Sequence, residues 1–152
     1  MHVNSALDDV REFHKKMRAP ISRSPRLLPG NATTAGATAV RLQAFADEAV
    51  SMAAESGDVL LSRAAMAIEE LAEWLTAHAD GDLAAAADAW ADRAYVLFGD
   101  AVAAGLPAEK LFAEVHRSNM TKEPDSAGSG KAVKGTSYEP PRIDDILNDS
   151  AH

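Results

Sequence analysis

Alanine dominates the apolar residues of this chain, and aromatic side chains make up only 5% of it. Methyl side chains let helices approach closely but give a sheet little of the Val, Ile and Tyr surface on which strands pack, so an all-α protein is expected. The 152 residues, 47% of them hydrophobic, suffice for one domain with a buried core. A net charge of −8 argues against polymeric nucleic acid as a partner, because proteins that track phosphate chains carry an excess of Lys and Arg. A small anion stays compatible with an acidic chain if a metal screens it. The absence of cysteine removes disulfides, thiolate metal sites and cysteine nucleophiles, and fits a cytoplasmic protein. No apolar run has the length of a signal peptide or a membrane span, so no membrane association is expected.

Leu7, Val10, Phe13, His14 and Met17 recur at helical spacing and predict an amphipathic helix over 4–18, stopping before Pro20. The stretch 19–36, with three prolines, Gly30 and Asn31, reads as a long connection. Helices are then expected over about 38–55, from the cap Asp58 to about 79, from the cap Asp82 to 104, and from Pro107 to about 121. These four segments make a bundle. Beyond Lys122 the composition turns to Gly, Ser, Pro and Lys, which predicts a strap without regular structure, followed by a short turn at IDDIL.

In the helix expected over 58–79, Glu69, Glu70 and Glu73 occupy an arc of roughly 100°. Opposite them Leu61, Ala64, Ile68, Leu71 and Leu75 form the expected core stripe. A solvated acidic face explains the glutamates as well as a site does, although Val59 and Met66 on the same side suggest partial enclosure. The helix expected over 82–104 is apolar nearly all round, with only a strip at Arg93 and Asp100 suited to water. Such a helix is normally central, so Asp88 and Asp92, one turn apart on it, are expected to be buried and to need a cation. A metal satisfies that need, and so does a salt bridge to Lys122 or Arg63. Across the short Asp80-Gly81 turn these carboxylates face the glutamates, an all-oxygen set suited to Mg²⁺ or Mn²⁺ and, through them, to phosphate. The histidines read as packed or peripheral: His14 on an apolar side, His78 near a helix end, His116 alone on its helix, and His2 and His152 at the termini. Neither GxSxG nor a Walker-type GxxxxGK[ST] is present.

Glu69-Glu70-Leu71-Ala72-Glu73 resembles the EExxE half of the MazG-type motif, and DGDLAAAADAWADRAYVLFG resembles its ExxD half. AEVHRSNMTK and GKAVKGTSYEPP are similar to the C-terminal part of MazG-like and dimeric dUTPase-like proteins, and VREFHKKMRAP is a weaker echo. The resemblance covers roughly residues 58–142. It implies a MazG-like four-helix bundle core over 37–122, preceded by an N-terminal helix and loop over 1–36 and followed by a substrate-closing tail over 123–152. It also implies assembly as a homodimer or homotetramer. The implied activity is hydrolysis of a nucleoside triphosphate to the monophosphate and pyrophosphate. Carried onto matching positions, Glu70, Glu73 and Asp92 would hold Mg²⁺, and Glu69 would position or deprotonate the attacking water. Asn119 and Lys122 would contact the nucleotide, with Lys131, Lys134 and Tyr138 in the closing tail.

One position departs from the pattern. The glutamate of ExxD is replaced by Ala89, leaving Asp88 as the adjacent candidate ligand with a different angle and a shorter reach. A catalytically impaired member that binds nucleotide or a protein partner is therefore the alternative. A helical oligomerisation module whose carboxylates make salt bridges is a third.

Overall fold

Three side-chain caps start the long helices. In this computed structural model, which describes residues 3–149, Asn31, Asp58 and Asp82 accept the backbone N–H of Thr34, Leu61 and Ala85 at 2.9, 2.8 and 3.0 Å. The chain runs through α1 (Val3–Met17), α2 (Ala32–Ser56), α3 (Val59–Asp80), α4 (Leu83–Ala104), α5 (Ala108–Asn119), a minimal ribbon of β1 (Glu123–Pro124) and β2 (Ala132–Val133), and α6 (Ile143–Asp149). The all-α expectation holds. His2 and His152 lie outside the described residues. α2 begins earlier than its sequence suggests, because Asn31 is a cap rather than loop and Gly36 sits inside the helix, where an added Cβ would meet Ala79 at an ordinary 3.6 Å. Gly81 closes α3 with φ 73°, a left-handed conformation that costs a residue with a Cβ but not glycine.

Residues Ser24–Ala104 form one compact unit. Within it α3 packs on both α2 and α4, so the central helix is α3 and not α4. The seam is alanine: Ala39, Ala46, Ala49 and Ala53 of α2, Ala65, Ala72 and Ala77 of α3, and Ala86 and Ala89 of α4 are all buried. The larger residues expected as the core stripe of α3, Leu61, Ile68, Leu71 and Leu75, are only half-buried, and Ala64 is exposed. Methyl groups bring the helix axes together and leave longer side chains on the flanks. Because α4 flanks the unit, Tyr95, Leu97 and Val102 are 80%, 64% and 83% exposed. Arg93 and Asp100, read as a watery strip, are instead half-buried beside α3. The Arg63 guanidinium pairs with Asp100 and donates to the Val96 carbonyl at 2.9 Å. It lies over Gly99, where a Cβ would come within 2.5 Å of its Nη2.

The second unit joins the segment up to Arg23 with the segment from Gly105 onward, so α5, expected in one bundle with the three long helices, groups with α1. Met17 is fully buried here. The strap is pinned to α5: Ser118 donates to the Glu139 carbonyl at 2.7 Å, Thr121 Oγ1 accepts from the Glu139 N–H at 2.9 Å, and Arg117 bridges Glu114 and Glu139. The backbone N–H of Arg142 closes the latch on Glu114 at 2.8 Å.

Candidate active site

Glu69, Glu70 and Glu73 lie on adjacent turns of α3, and the charges of Asp88 and Asp92 on α4 reach Glu70. Glu70 is half-buried, and its Oε2 is out of solvent contact with no hydrogen-bond partner. An ionised oxygen in that state is costly. Burial raises its pKa above the ordinary value, and the charges of Glu73, Asp92, Glu69 and Asp88 raise it further. The charges of the four other acids singled out in the sequence are thus all felt at Glu70.

On α4 the expectation of burial fails, since Asp88 and Asp92 are both exposed. The physical reason is the edge position of α4, which leaves their side of the helix open. Neither cation suggested for them serves: Arg63 is held by Asp100, and Lys122 donates to Asn119 Oδ1 at 2.8 Å. Among the described residues Asp88 and Asp92 have no ion-pair partner.

Glu73, Asp88 and Ala89 line a crevice of about 400 Å³ between α2, α3 and α4, together with Asp80, Asp82 and Gln43. In the sequence Asp80 reads as part of a turn and Asp82 as a cap, and nothing singles out Gln43. A signal for Asp80 was present, because it follows Glu73 by seven residues and so shares its helix face. Ala89 is 4% exposed, which leaves a methyl group where the ExxD pattern has a carboxylate.

A hard divalent cation fits the donor chemistry, five carboxylates with one orphaned buried oxygen among them. Among the described residues no three His, Asp or Glu side chains converge on one point as a ready cage. An ion held here would take few protein oxygens and complete its shell with water and phosphate, the usual habit of Mg²⁺.

The remaining expected residues lie in the other unit. Lys122 and Lys134 both lie over the Tyr138 ring, 6.0 and 4.8 Å from its centroid, and Lys122 also holds Asn119. Lys131 stays apart: its backbone carbonyl accepts from Asp125 at 3.0 Å, and its side chain is exposed. His14 Nδ1 is bonded to the Pro20 carbonyl at 2.8 Å, and His116 lies 4.0 Å from Glu12, so both are structural here.

A layer of long helices with carboxylates gathered on two neighbours defines an all-α acidic-site protein, and the family can be given. Residues 43–119 match the model of the phosphoribosyl-ATP pyrophosphohydrolase family, and the chain belongs to that family. No match was found among curated proteins or among solved structures. The matched segment contains all five carboxylates and ends at Asn119, so Lys122, Lys131, Lys134 and Tyr138 lie beyond it. Membership implies a pyrophosphohydrolase, a hydrolase acting on phosphoric anhydrides. No helix among the described residues is long and apolar enough to cross a membrane.

Proposed function

We propose that the protein hydrolyses a nucleoside triphosphate, ribo or deoxy, between the α and β phosphates, releasing the monophosphate and pyrophosphate with Mg²⁺ or Mn²⁺ as cofactor. The observation that carries this reading is the orphaned Glu70 oxygen with four carboxylates around it. Glu70, Glu73, Asp92 and Asp88 are the residues that would hold the cation, which when bound neutralises phosphate charge and polarises the phosphoryl group. Glu69, half-buried at the edge of the cluster, takes the proton of the water whose oxygen bonds to the α phosphorus as the bridging P–O bond breaks. Asn119, Lys122, Lys131, Lys134 and Tyr138 supply amide, ammonium and aromatic groups for the nucleotide. The cytoplasm is the compartment that provides such a substrate. A homodimer or homotetramer accounts for the exposed Tyr95, Leu97 and Val102.

The test is pyrophosphate release from a panel of NTPs and dNTPs. Glu70→Gln and Asp92→Asn should each lower turnover by roughly tenfold to a hundredfold, and activity that survives both sinks the assignment. The buried methyl of Ala89 favours a second reading, a member that binds nucleotide with impaired turnover. Calorimetry separates the two, because tight nucleotide binding without pyrophosphate release is the outcome peculiar to the second.

A further inference from the structure

The chain holds two tryptophans, and both line one cavity of about 580 Å³ that shares no lining residue with the acidic crevice. On α3 Trp74 is about 100° around the helix from Glu73, and on α4 Trp90 is about 160° from Asp88, so this cavity draws on other helix faces than the crevice does. Its walls bring Trp74, Trp90 and His78 together with two guanidiniums, those of Arg26 and Arg93. Arg93 stacks on Trp74 at 4.9 Å, and the His78 ring, held by Nδ1 on the Trp74 carbonyl at 2.8 Å, lies 4.4 Å from the same indole. Trp74 is thus fixed in place, while Trp90 is 49% exposed.

Charge selects the ligand. In a chain of net charge −8, no carboxylate lines this cavity, and among the described residues neither Arg26 nor Arg93 forms an ion pair. Two guanidiniums without an ion pair, one of them stacked on Trp74, beside flat aromatic walls match an anion that carries a planar ring, because guanidinium recognises phosphate in a fork and indole stacks on a base. The volume is that of a small-molecule site.

The geometry points to a second nucleotide site, separate from the carboxylate cluster, in which a base stacks on Trp90 and its phosphate is received by Arg26 and Arg93. This inference does not depend on the hydrolase reading. Intrinsic fluorescence reports it directly, since both indoles belong to the cavity. Wild type and Glu70→Gln are titrated in EDTA with AMP, adenosine and inorganic phosphate. AMP should quench saturably and equally in both proteins, with adenosine and phosphate weaker by roughly tenfold or more. Arg26→Ala, an exposed loop change, and Arg93→Lys, which keeps the charge, should each weaken AMP by about tenfold. Quenching without saturation, an equal response to adenosine, or indifference to both arginine variants overturns the proposal. Loss of pyrophosphate release in Glu70→Gln with AMP quenching intact would show the two sites failing separately.

Discussion

Ala89 puts a methyl group on the wall of the crevice that Glu73 and Asp88 line, and it does so at a position only 4% exposed. A carboxylate there would stand beside Glu73 and Asp88 in the crevice, and the charges of these two already help to raise the pKa of Glu70. Ala89→Glu should therefore have opposite effects with and without metal. In EDTA it should lose about 1–3 kcal/mol of stability through crowding and like-charge repulsion. With Mg²⁺ the melting temperature should recover beyond the wild-type gain, because the ion binds the folded state, and turnover should rise by roughly tenfold or more. Thermal melts with and without Mg²⁺ check the first effect and pyrophosphate release the second. A variant blind to Mg²⁺ would remove this position from the site. At this scale part was legible: the motif pointed to Glu69, Glu70, Glu73 and Asp92, and adjacency to Ala89 pointed to Asp88, while the charges of the other four acids all reach Glu70. Periodicity alone assigned Asp88 and Asp92 the wrong environment, since an all-round apolar helix reads as central whether another helix of its own unit covers it or not.

Among the elements, the strap depends most on a few polar contacts. Glu114 accepts from Arg117 and from the Arg142 backbone, and in that order these contacts pull its carboxyl down to about 2 from 4.5. Arg117 is held correspondingly above its own ordinary value, first by Glu114. Because the folded carboxyl holds its proton less tightly than the unfolded one, the latch contributes stability above pH about 4.5 and loses it as the pH falls toward about 2. Amide exchange at Glu139 and Arg142, whose N–H groups bond Thr121 and Glu114, should accelerate through that window in wild type relative to Glu114→Gln at the same pH. Equal rates for the two proteins at every pH would show that the carboxylate does not hold the strap. The sequence disclosed the strap's composition but not this network, because Glu114, Arg117, Glu139 and Arg142 pair over separations of up to 28 residues. Helix starts were easier to read, as Asp58 and Asp82 show, since a cap is a contact three residues away.

For the whole molecule, the alanine seam and the exposed faces of α4 have one joint consequence: among the described residues the largest fully buried side chain is Met17, and the buried apolar residues of the long-helix unit are all alanine. Apolar burial stabilises by about 25 cal/mol per Å², so a unit that leaves Leu97, Tyr95 and Val102 outside forgoes much of what its sequence offers. Association through α4 would recover it. Light scattering should find a homo-oligomer whose melting temperature rises with protein concentration, and Tyr95→Glu should shift it toward monomer. A wild type that scatters as a monomer at every concentration rules that out. The seam also bears on motion. Methyl groups offer no deep knobs and holes, so alanine-faced helices have a smooth track along which to slip, and little in the core marks one register from the next. The short turn at Gly81 and Asp82 limits that slip at one end of the α3–α4 pair, and Arg63, clasped by Asp100 and the Val96 carbonyl in the notch that Gly99 leaves open, limits it toward the other. A chain that lost this guanidinium would keep its helices and its turn, with the pair held less firmly at the end away from that turn.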